Sequence, residues 1–211
     1  MKENNKNIYE IVVFGAAGVG KTSIIRRFYL GEFTNVYNPT VEDCYSRVLN
    51  LNGKVIVLNT TDTSGSYQFP AMRQVAINRA SGFIMVYSLD NRYSFVELKR
   101  LFDEIVESKP NAEVPIILVG NKRDMKNKRQ ISSEQVVKDI TEYIRSKGTR
   151  NFKLRQIETS AKDNYNIEAV FKEMIEILTN IPCDKSCTTK PKKVLNWLRK
   201  FSCTFGSYTV N

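Results

Sequence analysis

The 211-residue sequence contains no histidine and no long apolar run. The lack of histidine excludes histidine-based acid–base catalysis and most zinc sites. The longest apolar stretches, such as FIMVY at 83–87, have the length of a strand and are too short to cross a membrane. The first ten residues carry no apolar core of a secretion signal, and Lys2 stands where N-myristoylation requires glycine.

Cysteine is scarce and unevenly placed. Three of the four cysteines, Cys183, Cys187 and Cys203, lie in the last 30 residues, where they are too clustered to cross-link a folded domain. We therefore expect a reducing, cytoplasmic setting. The last four residues are Tyr-Thr-Val-Asn, so the C-terminal Cys-a-a-X signal for prenylation is also absent.

Basic residues are concentrated in the segment 181–211, which carries half of the formal net charge of +10. Its stretch 190–203, written as a helix, places basic residues on one face and Val194, Leu195, Leu198 and Phe201 on the other, with Trp197 at the border. This pattern predicts an interfacial helix bound to an anionic membrane surface, at the inner face of the plasma membrane.

Other interpretations of this tail stay open. It could be a disordered basic tail, a helix that packs on the domain, or a segment that binds a partner protein. S-acylation of Cys183, Cys187 or Cys203 would add a second attachment to the membrane.

Strand and helix patterns alternate through residues 8–180. Strands are expected at 8–14, 44–50, 54–61, 83–88, 116–120 and 154–160, and helices at about 21–30, 70–80, 93–108, 133–147 and 166–180. Asn52-Gly53 between the second and third strands predicts an antiparallel hairpin. The pattern as a whole predicts an α/β fold with a six-stranded, mostly parallel sheet, one antiparallel edge strand and helices on both faces. We expect a flexible extension at 1–7, one domain at 8–180 and the tail at 181–211.

The first strand leads into Gly15-Ala-Ala-Gly-Val-Gly-Lys-Thr22, which fits the pattern G-x-x-x-x-G-K-[ST] between a strand and a helix. The glycines let consecutive N–H groups turn toward phosphate oxygens at a helix N-terminus, where the dipole favours negative charge. Lys21 would neutralise the β- and γ-phosphates, and the Thr22 hydroxyl would bind Mg²⁺. By itself the motif indicates a nucleoside triphosphate and leaves adenylate kinases, ATPases and GTPases open.

Polar motifs follow three further strands, at the edge of the sheet where ligands bind in such folds. Asp62 ends an apolar strand, a common place for an acid that holds a metal ion, and Gly65 offers a bare N–H to an anion. Asn121-Lys-Arg-Asp124 and Thr159-Ser-Ala-Lys162 follow two later strands. Asp124 can accept hydrogen bonds from both N1–H and N2–H₂ of guanine, a pair of donors that adenine lacks.

Together these motifs resemble those of the Ras family of small GTPases over about residues 8–180. The matching segments are GAAGVGKT, YNPTVEDCY at 37–45, DTSG at 62–65, NKRD at 121–124 and ETSAK at 158–162. The variant DTSGSYQFPAMR is most similar to the Di-Ras, Dexras and Rhes branch. The resemblance implies the P-loop small GTPase fold, with GTP or GDP and Mg²⁺ as bound cofactors, and hydrolysis of GTP.

The resemblance also implies roles for individual residues. Thr40 would bind Mg²⁺ and sense the γ-phosphate, Asp62 would hold a Mg²⁺-bound water, and the Gly65 N–H would contact the γ-phosphate. The base would be packed by Phe33 and Lys122 and recognised with the help of Asn121 and Ala161. The full nucleotide set is Gly15, Ala17, Gly18, Val19, Gly20, Lys21, Thr22, Ser23, Phe33, Thr40, Gly65, Asn121, Lys122, Asp124, Ser160, Ala161 and Lys162. The metal set is Thr22, Thr40 and Asp62, and the catalytic set is Lys21, Thr40, Gly65 and Ser66.

Two positions depart from the family pattern. Ser66 stands where the family usually has a glutamine that orients the attacking water, and one hydroxyl cannot bridge that water and the γ-phosphate in the same way. Ala17 stands where Ras proteins have glycine, near the γ-phosphate and the entry of a partner's arginine finger. We therefore expect weak intrinsic hydrolysis, with Gln68 as a candidate substitute for the amide. The alternative is a constitutively GTP-loaded binding module, controlled by abundance or location.

The segment Tyr37–Tyr45 is expected to bind effector proteins in the GTP state, because Thr40 links its order to the γ-phosphate. The strand that follows is an edge strand that can accept a partner strand, and Glu42 and Asp43 favour a basic partner. An exchange factor and an activating protein are further implied partners. No nucleic-acid recognition motif accompanies the basic charge, and we expect a monomer.

Overall fold

The computed structural model describes residues 7–65, 70–110, 113–148 and 152–183. The strands in these ranges are β1 (Asn7–Phe14), β2 (Glu42–Leu51), β3 (Lys54–Thr63), β4 (Gly82–Ser88), β5 (Val114–Asn121) and β6 (Phe152–Glu158). The helices are α1 (Lys21–Leu30), α2 (Pro70–Arg79), α3 (Arg92–Ser108), α4 (Ser133–Ser146) and α5 (Ile167–Thr179), with a 3₁₀ turn at Lys126–Lys128. None of the helices in the described ranges is long and apolar enough to cross a membrane.

The six strands form one sheet in the order β2-β3-β1-β4-β5-β6, in which β2 alone runs antiparallel to its neighbour. The hairpin turn lies at the predicted dipeptide: Asn52 and Gly53 both have positive φ angles, of 50° and 86°, as a type I′ turn requires. Because β2 pairs only with β3, it is an edge strand of the sheet. The predicted α/β fold is confirmed.

Helices cover both faces of the sheet. α1 and α5 pack on one face, where Phe28 and Phe171 stack with 3.9 Å between ring centroids. α2, α3 and α4 pack on the other face, over a second apolar cluster. Every residue of β4 and β5 is buried, because helices lie on both sides of these central strands.

Several element ends differ from the sequence prediction. β3 continues through Thr63 instead of ending at residue 61, because Asp62 still pairs with Val13 on one side and Asp43 on the other. β6 ends at Glu158 instead of residue 160, so the TSAK segment lies in the loop after the strand.

The packed chain also extends beyond residue 180. Ile181 and Cys183 pack on the α1/α5 core, and the Cys183 N–H donates to Glu176 Oε1 at 2.8 Å. Cys183 is only 5% exposed, so S-acylation there would require this end of the chain to leave the core. Cys187, Cys203 and the amphipathic stretch lie outside the described residues.

Replacing Phe171 by alanine tests the α1/α5 core. The side chain is fully buried, so its removal leaves a cavity, and we expect the free energy of unfolding to fall by about 3–5 kcal/mol. Urea unfolding at a fixed nucleotide concentration measures this loss. The matched control is Tyr93→Ala on α3, an aromatic that is 81% exposed and should cost less than about 0.5 kcal/mol. Equal losses in both variants would contradict this description of the core.

Candidate nucleotide-binding site

A cleft of about 440 Å³ opens at the carboxyl ends of the strands. β3 and β4 lie on opposite sides of β1, so the connections around β1 diverge and leave a crevice beside its end. The walls of the cleft come from the P-loop and the start of α1, from most of the segment 32–40, and from the loops after β3, β5 and β6.

The P-loop leaves the N-terminus of α1 available to a ligand. Asn91 and Ser132 cap α3 and α4 with side-chain hydrogen bonds, whereas Gly20 caps α1 in the left-handed conformation, φ 99°, without one. A Cβ at Gly20 would lie 2.3 Å from Asn121 Nδ2, so a side chain there would displace Asn121. Uncapped first-turn N–H groups and the positive end of the helix dipole form an arrangement that binds phosphate.

Lys21 is buried in the P-loop, with 6% of its surface exposed. Its ammonium donates to the carbonyl oxygens of Gly15 at 3.0 Å and Ala16 at 3.1 Å. Burial lowers the pKa of Lys21 to about 8, against the opposing attraction of Asp62. A phosphate beside it would favour the charged form, so anion binding and protonation of Lys21 are coupled.

Thr22, Thr40 and Asp62 meet at one corner of the site. The Thr22 hydroxyl donates to Asp62 Oδ2 at 2.6 Å and lies 2.9 Å from Thr40 Oγ1. Burial raises the pKa of Asp62 to about 6, although the Thr22 hydrogen bond and the Lys21 charge lower it.

This corner fits a magnesium ion. Two hydroxyls and a carboxylate are the hard oxygen ligands that Mg²⁺ prefers. Asp62 Oδ1 is buried and has no hydrogen-bond partner among the described residues, which suits it to accept from a metal-bound water. Asp62 itself is fully buried.

Gly65 packs directly against the P-loop. A Cβ at this position would lie 2.4 Å from the Ala17 nitrogen and 2.5 Å from its Cα. The DTSG loop and the P-loop therefore approach each other at the place predicted for the γ-phosphate. Ser66 and Gln68 lie outside the described residues.

Asn121 joins the P-loop to the loops after β5 and β6. Its Nδ2 donates to the Val19 carbonyl at 2.9 Å, and its Oδ1 accepts from Thr159 Oγ1 and from the Ala161 N–H, both at 3.2 Å. The side chain is buried with these partners. Asn121 therefore holds the P-loop and the loop after β6 together.

Asp124 lines the end of the cleft that is formed by the loops after β5 and β6, where the sequence predicts the guanine base; this end is the base side. Its Oδ1 accepts from the Ser160 hydroxyl at 2.7 Å. Lys122 has a left-handed backbone, φ 66°, and its ammonium lies 3.6 Å from Asp90 Oδ1. The other predicted nucleotide contacts that line the cleft are Ala17, Gly18, Ser23, Phe33, Ala161 and Lys162. Gly15, Val19 and Ser160 lie behind this lining and support it through the hydrogen bonds given above.

Sequence reasoning missed Arg27, which reaches the loop after β6 from α1 although 134 residues separate it from Ala161. Its partners are backbone carbonyl oxygens, which carry no side-chain signal in a sequence. Arg26 and Glu32, joined by an ion pair of 2.7 Å, also line the cleft and were not predicted.

Comparisons with known proteins agree with this geometry. A sequence model of the Ras family matches residues 10–180. The chain is 43% identical over 178 residues to GTP-binding protein drn-1 of Caenorhabditis elegans, a match that covers 83% of this chain and 77% of that protein. It is 42% identical over 172 residues to GTP-binding protein Di-Ras2 of Pongo abelii, covering 81% and 82%. It is 41% identical over 174 residues to GTP-binding protein Rhes of Homo sapiens, covering 79% and 63%. Di-Ras and Rhes are the relatives that the segment DTSGSYQFPAMR predicted.

Replacing Asn121 by alanine tests whether this side chain holds the site together. The variant loses three buried hydrogen bonds, and the groups that bonded to Asn121 lose that partner inside the protein. We therefore expect the free energy of unfolding to fall by about 2–4 kcal/mol. Urea unfolding at a fixed nucleotide concentration measures the change. The control is Asn78→Ala at an exposed position of α2. A loss no larger than that of the control would show that Asn121 does not join these loops.

Proposed function

The chain belongs to the Ras family of GTP-binding proteins, and on that premise we propose that it is a guanine-nucleotide-dependent signalling switch with weak intrinsic hydrolysis. Ras-family small GTPases in general bind GTP and GDP and hydrolyse GTP. The proposal rests mainly on two contacts of the Thr22 hydroxyl, one with Thr40 and one with Asp62. Through them, the surface loop that contains Thr40 is connected to the side of the cleft where phosphate and metal would bind.

The segment 32–41 has the exposure pattern of a ligand-dependent loop. Within it, Phe33 and Thr40 alone are half-buried, and the other eight residues are exposed. The loop is held near its two ends, by Glu32 and Phe33 at one end and by Thr40, at the corner with Thr22 and Asp62, at the other. A magnesium ion would neutralise phosphate charge at that corner, and Thr40 would be held there while the γ-phosphate is present. Loss of the γ-phosphate would release this attachment.

Weak hydrolysis follows from the residues around the γ-phosphate position. Lys21 would neutralise the β- and γ-phosphate oxygens, so the chain has a residue that can stabilise the charge that develops during hydrolysis. Ser66 would orient the attacking water less well than a glutamine. The Gly65 backbone lies against the Ala17 backbone. A methyl group at Ala17 would narrow the approach of an arginine finger, which is worth roughly 10³–10⁵ in rate where it operates.

A second candidate function is a constitutively GTP-loaded binding module. Ser66 and Ala17 favour it, because both reduce hydrolysis while the nucleotide-holding residues are intact. In that case the protein would be controlled by its abundance or location and would signal whenever it is present.

Effector binding is proposed for residues 37–45. Tyr37, Val41, Glu42 and Asp43 are all exposed, and β2 presents an open edge beside them. An edge strand can pair with a strand of a partner domain, and the two acids favour a basic partner surface. An exchange factor and an activating protein would act on the same loop and cleft.

Membrane attachment is proposed for the stretch 190–203, at the cytoplasmic face of the plasma membrane. The support is its sequence pattern, in which apolar and basic residues separate on a helical projection. The described chain ends at Cys183, which is packed in the core, so a truncation that tests the tail should begin at residue 184.

Single-turnover GTP hydrolysis by residues 1–183 with Mg²⁺, beside the Ser66→Gln variant, tests the switch with weak hydrolysis. We expect wild type to be slow and the glutamine to raise the rate at least about tenfold, because its amide can orient the water. Gln68→Ala supplies the internal comparison and should leave the slow rate unchanged if Gln68 plays no part. A fast wild type that Ser66→Gln does not improve would contradict the weak-hydrolysis proposal, and a slower Gln68→Ala would assign the water to Gln68.

The single tryptophan, Trp197, reports directly on the tail. With vesicles that contain phosphatidylserine, we expect its emission to shift to the blue as it enters the interface. Lys192→Glu together with Lys193→Glu should weaken binding by about tenfold or more, since each basic residue contributes about 1 kcal/mol at an anionic surface. Uncharged phosphatidylcholine vesicles are the control. Emission that is the same with both kinds of vesicle and in both proteins would contradict membrane attachment.

A further inference from the structure

The geometry points to Arg27 as a positioning residue that closes the base side of the cleft and slows the release of the nucleotide. The inference rests on the proposed function, since it concerns how long a guanine nucleotide stays bound. Arg27 lies in the last turn of α1 and is half-buried.

The Arg27 guanidinium holds two segments of the chain by their backbones. Its Nε donates to the Ala161 carbonyl and its Nη2 to the Lys162 carbonyl, both at 2.8 Å. Its Nη1 donates to the Gly31 carbonyl at 3.0 Å, just after α1 ends. The planar fork of an arginine suits three acceptors in fixed directions, whereas a lysine ammonium is a single point charge on a flexible stem.

The same guanidinium also contacts Phe33. Its Cζ lies 5.4 Å from the centroid of the Phe33 ring, within the range of a cation–π contact. Phe33, Ala161 and Lys162 all line the cleft at its base side. One side chain therefore connects the Phe33 ring to the loop after β6, and both line the cleft.

The loop after β6 is held from two directions. Asn121 accepts from the Ala161 N–H, and Arg27 donates to the Ala161 carbonyl, so both polar groups of this residue are fixed by side chains. Phe33, Ala161 and Lys162 all line the cleft, so a base that leaves past any of them would disturb the contacts of Arg27. These contacts are all on the base side, whereas Thr22, Thr40 and Asp62 meet at the phosphate and metal side. Arg27 should therefore affect nucleotide release more than hydrolysis.

Release of a fluorescent GDP from the full-length protein in Mg²⁺ tests this assignment with Arg27→Ala and Arg27→Lys. Hydrogen bonds to a charged group support an expected increase of about 10- to 100-fold in the release rate of Arg27→Ala, with a much smaller change in association. Arg27→Lys should lie between wild type and Arg27→Ala, because it keeps the charge and loses the fork. Arg145→Ala, at an exposed position in the last turn of α4, is the matched control and should release GDP as wild type does.

Two further readouts separate positioning from a general loss of stability. In Arg27→Ala the release rate should rise by a far larger factor than the single-turnover hydrolysis rate falls, and hydrogen exchange should quicken at residues 31–34 and 160–163 first. Release rates within about twofold of wild type in both variants would overturn the inference. Hydrolysis and release altered by the same factor, with a lower unfolding midpoint, would overturn it as well. A wild-type protein that fails to retain GDP at all would overturn the proposed function itself.

Discussion

The site depends on the hydroxyl of Thr22, which lies 2.6 Å from Asp62 Oδ2 and 2.9 Å from Thr40 Oγ1. These oxygens belong to the first turn of α1, the end of β3 and the exposed segment before β2. Burial holds the pKa of Asp62 near 6, so bringing its charge to this corner is costly unless a cation or donors surround it. We propose that a metal ion bound at this corner would make the position of Thr40 depend on the ligand.

The rest of the cleft is a rigid frame around that corner. Asn121 joins the P-loop to the loops after β5 and β6. The central strands β4 and β5 are fully buried, so the loop that follows β5 begins from a well-packed strand. Against this frame, segment 32–41 is held by Thr40 at one end and, at the other, by Phe33 under Arg27 and by the ion pair of Glu32 with Arg26. A loop that is held at its two ends and buries little apolar surface opens at low free-energy cost, as the proposed switch requires.

The fold and most of the residues that line the cleft could be predicted because their signals are local. A P-loop needs glycine where the backbone turns and lysine and threonine where the helix begins, so GAAGVGKT specifies its own geometry. The sequence prediction was wrong where contacts between distant residues set the end of an element. Asp62 remains in β3 because it pairs with Val13 and Asp43. The chain stays packed as far as Cys183, whose N–H donates to Glu176. Arg27 could not be predicted, because its partners in the loop after β6 are carbonyl oxygens of residues distant in sequence.

Hydrogen exchange of residues 32–41 in two nucleotide states tests the central claim most directly. The protein is loaded with a non-hydrolysable GTP analogue and Mg²⁺ in one sample and with GDP and Mg²⁺ in the other. If Thr40 links this segment to the γ-phosphate through the corner at Thr22, its amides should be protected with the GTP analogue and exchange faster with GDP, while α1 and β5 stay protected in both. Equal exchange of residues 32–41 in the two states would contradict the account and leave a nucleotide-binding domain without a switch.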